Sequence, residues 1–298
     1  MKKSPLSQEF IINTIIKSSG YSAIFFVGII FYFLISQGLP ALKMIDLTSL
    51  TSTRWYPIEG YFGILPLISG SIIVTVGATL IAVPFGIGTA LFIAEIAPRW
   101  AREFLKPFVE ILAGLPSVVL GFLGIVVLSP LLRNMLNLPT GLSAFTGSLL
   151  LGAIAIPTIV SVAEDALDAV PKEYRDAALA LGATKWQTIW TVTLPAARSG
   201  VLTAIMLGIA RSIGETMTVM MVTGNAPVLA NNLSVFFSPV RTMTATIAAE
   251  MGEVAYGSAH YHVLFLVGIV LFVISLIVNI TASAVVFTQT KRSEKLLS

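Results

Sequence analysis

Glu-Tyr-Arg-Asp-Ala-Ala-Leu-Ala-Leu-Gly, residues 173–182, is the stretch whose reading decides the fold. It is polar, charged and helix-forming, and it stands between two long apolar runs. Tyr174, Ala177, Ala178 and Leu181 fall at i, i+3, i+4 and i+7, one face of a helix. The small residues on that face let another surface come close. Pro171 suits the first helical turn and Gly182 is a natural stop. A compact charged helix in an otherwise membrane-buried chain needs a partner that faces water.

Outward from this long inner loop, residues 164–198, the chain is apolar. Of its 298 residues, 56% are hydrophobic and 11% charged, and the mean hydropathy is +0.90. Such a composition belongs to multi-span membrane proteins. Six candidate spans lie near residues 21–37, 67–94, 108–132, 143–163, 201–223 and 263–287. Each is about long enough for a hydrocarbon core of roughly 30 Å, the first only marginally. The first starts late, lacks a small-residue cleavage site and is followed by bulky residues, so it reads as a retained helix and not a cleavable signal. The fold expected is all-α, a polytopic membrane protein with six transmembrane helices. Residues 1–20 are expected as a short amphipathic helix on the inner surface, and 21–66 as the first span with its outer loop. Residues 67–287 would form the transport core and 288–298 a cytoplasmic tail. No repeat, low-complexity stretch or second soluble domain is visible.

Charge sets the orientation. With the N-terminus inside, the cytoplasmic segments carry 13 Lys and Arg and the outer segments only four, Lys43, Arg54, Arg133 and Arg241. Both termini are therefore expected in the cytoplasm, and with them the 173–182 helix. The net charge of +3 follows from this orientation and not from nucleic-acid binding, since no basic face with interleaved aromatics appears. The absence of cysteine excludes disulfides and thiolate chemistry. Trp55, Tyr56 and Tyr61, in the outer loop 40–66, suit the membrane–water interface. Residues 95–107 read as a short charged inner loop and 224–262 as the longest outer segment, in which Arg241–Glu253 has the makings of a short helix.

Several spans are interrupted. Pro84, Pro116 and Pro157 free backbone carbonyls, and Gly114, Gly121 and Gly124 permit close helix packing. Either a translocation path or ordinary tight packing accounts for them. Arg211 and Glu215 stand near the middle of the fifth span, four residues apart and so on one helix face. Charge at that depth is costly unless paired or facing water, and marks a functional site by default. One reading is a self-satisfied ion pair that pins the helix. The other is an anion path: a guanidinium suits tetrahedral oxyanions, and a carboxylate accepts a hydrogen bond from one that keeps a proton. Phosphate keeps a proton at neutral pH and sulfate does not. His260 and His262 form an isolated His-any-His pair, read as interfacial rather than as a metal site. Glu164, Asp165 and Asp168 form a solvated helix end, or help to position the neighbouring loop. No phosphate-cradling Gly-rich loop ending in Lys-Ser/Thr is present, so this chain is not expected to bind ATP.

The inner loop resembles the cytoplasmic signature of ATP-binding-cassette (ABC) importer membrane subunits: Glu-Ala-Ala, three residues, Gly, nine residues, Ile-any-Leu-Pro. The matching residues are Asp176-Ala177-Ala178, Gly182, Val192, Leu194 and Pro195, with Asp for Glu and Val for Ile. The resemblance implies the type I ABC importer permease fold and a coupling helix that docks on an ATPase subunit through Glu173, Asp176, Ala177, Ala178, Gly182, Leu194 and Pro195.

Wider stretches sharpen it. The chain is similar to permease subunits of phosphate-specific ABC importers, of the PstC type. The similarity lies in Gly-Ile-Leu-Pro-Leu-Ile-Ser-Gly-Ser (63–71), Ala-Val-Pro-Phe-Gly-Ile-Gly (82–88), Ala-Gly-Leu-Pro-Ser-Val-Val-Leu-Gly (113–121), Ala-Arg-Ser-Ile-Gly-Glu-Thr-Met (210–217), Pro-Val-Arg-Thr-Met-Thr (239–244) and Ala-Glu-Met-Gly-Glu (249–253). The second permease of such systems, the PstA type, shares much of this pattern; residues 55–63 favour the first. The resemblance implies a substrate path past Arg211, Glu215, Thr216 and Arg241. It implies a bacterial inner-membrane heterodimer with a second permease subunit, two ATP-binding subunits inside that carry the ATP, and a periplasmic or lipid-anchored phosphate-binding protein outside. No cofactor, metal or catalytic residue is expected on this chain. Competing readings are an importer of sulfate or molybdate, a secondary transporter, for which the paired internal repeats are missing, and a membrane enzyme, which would need clustered catalytic groups.

Overall fold

The computed structural model describes residues 5–229 and 232–297; Lys2, Lys3 and Ser298 lie outside them. Helix α1 (Pro5–Gly38) runs for 34 residues, about 51 Å at ~1.5 Å per residue. The separate inner-surface helix expected over 1–20 does not form in the described part, because no Pro or cap after Pro5 interrupts the hydrogen-bond ladder. Phe31 and Phe33 of α1 meet Phe272 and Phe265 of the last helix.

The loop after α1 makes single turns at Ala41–Met44 and Leu47–Leu50, then a two-residue antiparallel hairpin pairing Trp55 with Phe62. Trp55 does not sit at a lipid interface as expected. It is buried with Phe62, Leu67 and Val263 in one core cluster.

Helix α2 (Leu65–Leu91) continues through a π-helical turn, Phe92–Ile96. Helix α3 (Arg99–Ala113) is amphipathic, so much of the region expected as a charged loop is helical. The third span begins at Ser117 and not at 108: α4 (Ser117–Leu136) starts after Gly114-Leu115-Pro116. Pro116 donates no hydrogen bond and disfavours helix at Leu115, which separates α3 from α4. Pro84 and Pro157, by contrast, remain inside continuous helices. Helix α5 (Ala144–Asp168) leads to α6 (Lys172–Ala180), α7 (Lys185–Ala196) and α8 (Arg198–Gly214), with a 74° bend between the last two. Short helices α9 (Met217–Val222) and α10 (Met243–Glu250) precede α11 (Ala259–Leu297). Helices α1, α2, α4, α5 and α11 supply five apolar spans, and the bent pair α7–α8, counted as one, the sixth.

Helix α5 is the centre, packed between α2 and α8. Ile159 wedges between Gly86 of α2 and Gly208 of α8, where an added Cβ would stand 2.7 Å and 2.5 Å from its side chain. In lipid, where apolar burial gives little drive for association, such close packing holds helices together. The later part of the segment expected as an outer loop packs into the bundle. Val240 joins Val74, Ala144, Leu151 and Val219 in a buried cluster, and Thr242 and Thr246 are buried with it. The Val240 N–H donates to Thr223 O and the Ala144 N–H to Ser238 O, which satisfies the backbone of this irregular stretch.

Candidate functional site

The fifth span is broken where its charges lie. Helix α8 stops at Gly214; Glu215 is extended (φ −70°, ψ 129°), and α9 begins at Met217. Arg211 and Glu215 are therefore not on one helix face, and they form no ion pair. Glu215 Oε1 accepts from the backbone N–H of Thr216 (3.1 Å) and of Thr218 (3.3 Å), so the carboxylate caps the first turn of α9. Thr216 Oγ1 donates to Gly214 O, and Thr244 Oγ1 of the α10 segment donates to Glu215 O at 3.1 Å. Thr216 is thus part of the break itself.

This break lies beside the one between α3 and α4. Thr218 Oγ1 donates to Ser117 O (3.0 Å), and a Cβ on Gly121 of α4 would stand 2.7 Å from the Met221 sulfur of α9. Arg211 spans the junction. Its Nη1 donates to Thr158 Oγ1 of α5 (3.2 Å) and its Nη2 to Ala113 O at the end of α3 (3.3 Å). Two neutral acceptors at these lengths leave further N–H groups of an exposed guanidinium free. The self-satisfied pair is not what forms; what forms is an open cation at the meeting of two interrupted helices.

Arg241 belongs to a different network. Its Nη2 pairs with Glu250 Oε1 at 2.6 Å, and Glu250 also accepts from Trp55 Nε1 (3.2 Å) and meets His260 Nε2 (2.8 Å). One carboxylate thereby ties α10 to the hairpin and to the start of α11. His262 Nδ1 bonds Gln37 O at the end of α1, so the two imidazoles serve different elements.

In the 164–198 loop, Pro171 is the N-cap of α6 rather than its first helical residue. The helix closes in a Schellman motif: the Gly182 N–H donates to Leu179 O and the Ala183 N–H to Ala178 O, with Gly182 at φ +87°. Glu173, Asp176, Ala177, Gly182 and Pro195 are exposed, and Ala178 and Leu194 half-buried. Leu181 is 89% exposed, and Trp186 and Trp190 are also exposed, their ring centroids 5.8 Å apart. The i, i+3, i+4 face is therefore open at Tyr174, Ala177 and Leu181 and partly turned inward at Ala178.

Basic residues that the sequence reading passed over hold this region together. Arg175 reaches Glu95, Leu167 O and Val170 O. Arg102 donates to Ile93 O and Ala94 O and pairs with Asp168. Lys106 pairs with Asp165 and, at 3.0 Å, with Glu164, whose side chain is only 3% exposed. The hydrogen bond that the Lys106 ammonium donates to Glu164 holds it above its usual range, against the opposing effect of burial. The acidic run 164–168 is thus a docking strip for α3. Regular spacing of Arg102 and Lys106 at i, i+4 on α3 was the available signal.

The family model for the binding-protein-dependent transport system inner membrane component matches residues 82–290. The "Probable ABC transporter permease protein YqgH" of Bacillus subtilis is 43% identical over 228 residues, 76% of this chain and 73% of that one. The phosphate transport system permease protein PstC of Xylella fastidiosa is 35% identical over 266 residues, 82% and 80% of the two chains. Among solved structures, a bacterial alginate ABC transporter in complex with its pentasaccharide-bound periplasmic protein aligns with TM-score 0.63 at 15% identity, over 94% of this chain and 96% of that one. The inward-facing MetNI methionine ABC transporter aligns with TM-score 0.56 at 20% identity, over 76% and 94%. These two alignments concern the fold, that of type I ABC importer permeases.

Proposed function

This chain belongs to the family of binding-protein-dependent transport system inner membrane components, and we propose that it is a permease subunit of an ATP-driven importer of inorganic phosphate. It is a transport subunit; ATP is bound and hydrolysed on separate subunits. It lies in the inner membrane with both termini in the cytoplasm, paired with a second permease of the same family. Of two ATP-binding subunits inside, one docks on α6, and a phosphate-binding protein delivers from outside. The substrate is supported by the relationship to PstC permeases.

The observation that carries the path is Arg211, an open guanidinium at the junction of two interrupted helices. Its forked donors match a tetrahedral oxyanion. Glu215 spends Oε1 on the α9 backbone, which leaves Oε2 to accept a hydrogen bond from the proton that phosphate would retain. Thr216 shapes the same turn. Arg241 acts one step away, holding α10 at the outer mouth through Glu250. On the inside, Glu173, Asp176, Ala177, Ala178, Gly182, Leu194 and Pro195 form or frame the surface that the ATPase grips.

The test is uptake of labelled phosphate and labelled sulfate at low external concentration in cells with and without this chain. Loss of phosphate uptake alone is the expected result. Unchanged phosphate uptake with loss of another anion would overturn the substrate while leaving the importer architecture.

A further inference from the structure

Helix α6 is almost wholly in water, and what fastens it to the bundle is narrow. Only Arg175 and Ala178 turn inward. The Arg175 guanidinium makes four bonds: Nε and Nη2 to Glu95 Oε1 at 3.0 and 2.8 Å, Nη1 to Val170 O and Nη2 to Leu167 O, both at 2.7 Å. The side chains of Arg175 and Glu95 are 18% and 10% exposed. Glu95 lies in the π-helical turn that prolongs α2. Leu167 and Val170 carry carbonyls at the C-terminal end of α5, which welcome a cation. Among the described residues, no other hydrogen bond or ion pair links α6 to α2.

A charge-assisted bond of this kind is short, strong and directional, and the planar guanidinium alone can face all three acceptors at once. A lysine there would keep the charge and lose the fork. Across the helix, Asp176 and Ala177 face away into water. The direct polar route from α6 to α2, for a displacement by a partner seated on that outer side, is Arg175 and Glu95. The displacement reaches α5 through the same guanidinium and through the Ala169–Pro171 link. We infer that the Arg175–Glu95 pair is the latch through which movement of α6 reaches the cytoplasmic ends of α2 and α5. Arg175 is then a positioning residue for coupling. The inference rests on the reading of α6 as the docking site of an ATPase.

The test uses the assembled transporter, this chain with its permease, ATPase and binding-protein partners, reconstituted in liposomes and supplied with labelled phosphate. The readout is phosphate moved per ATP hydrolysed. Arg175→Lys and Glu95→Gln are expected to hydrolyse ATP while that ratio falls about tenfold, within the range a coupling free energy between sites spans. A ratio equal to the unsubstituted complex would overturn the latch. Because the chain has no cysteine, Glu95→Cys with Arg175→Cys adds a rescue arm that a merely structural role would not move. The ratio is low with free thiols and recovers when a bis-maleimide linker joins them. A free-thiol pair that is fully coupled, or a linker that restores nothing, overturns the inference. Ala177→Arg, on the outer side of α6, tests the docking reading by itself. If it leaves the ratio intact, that reading falls and the latch with it. If it abolishes coupling and Arg175→Lys does not, only the latch falls.

Discussion

Helices α6 and α9 are both short, both bounded by glycine, and opposite in how they are held. Helix α6 shows most of its nine residues to water, ends at Gly182 by a local backbone motif, and grips the bundle with one arginine. Helix α9 buries Thr218, Val219 and Val222, begins where Glu215 folds back onto its N–H groups, and is packed by α4, α5 and α10. A helix in water takes its ends from its own residues. A helix inside a membrane bundle needs its neighbours as well, here Ser117 and Thr244, because every interrupted backbone group there must find a partner in the protein.

The largest effect expected falls on the α9 side. Arg211→Gln should lower phosphate uptake by about tenfold or more, the worth of a charge-assisted hydrogen bond. It should hardly change assembly, since Arg211 is exposed and bound only to neutral acceptors. A variant that folds, assembles and still transports normally would remove the anion path. It would also leave α9 as a packing feature only.

The next effect tests how the α6 side is braced. Lys106→Met leaves Glu164 buried without its partner and should destabilise the protein by about 3 kcal/mol, the low end for a broken buried pair because Lys106 is itself partly in water. Adding Glu164→Leu should recover most of that loss, measured by thermal unfolding in detergent. No recovery would mean that the cost lies in α3 packing and not in the stranded charge.

The same small substitution sharpens the contrast between the two helices. Gly182→Ala meets open space, so its cost is the left-handed backbone, about 1–2 kcal/mol local to α6. Gly121→Ala meets Met221 and Thr218, so its cost is overpacking against α9, about 1–3 kcal/mol. Hydrogen exchange should show α6 fraying in the first and the α4–α9 contact loosening in the second. Faster exchange at the same sites in both would erase the distinction.

The smallest effect is one of pH. The Lys106 ammonium is raised above its ordinary value of 10.5 in the folded protein. Its contribution is therefore fully present below that value and fades only as pH rises through the folded one. Between about pH 6 and about pH 9, the stability difference between the protein and Lys106→Met should stay flat. A slope within that window would assign the coupling to another group.

The two regions also differ in how much of them was legible. Helix α6, its stop at Gly182 and the exposed Asp176-Ala177 edge follow from residue spacing and turn chemistry, which act over a few residues and leave a local trace. The reading of Arg211 and Glu215 on one face failed because spacing assumes an unbroken helix. What ends α8 is Thr244 bonding Glu215 O and the carboxylate turning to cap α9, contacts from 29 residues away and from within the break. Arg175 was passed over for a related reason: its partner Glu95 is 80 residues distant, on another helix.

The sequence by itself determined an apolar chain of about six spans, its family, and a charged helical loop between spans, because hydropathy, charge bias and turn residues are local or additive along a chain. Only the tertiary structure decided that the fifth span is broken, that Val240 and Thr242–Thr246 are buried against the bundle, and that Arg211 stands open while Arg175 is clamped. Each of those depends on which groups become neighbours. In a bundle packed as closely as Gly86, Ile159 and Gly208, neighbours are settled by the whole shape and not by any one segment.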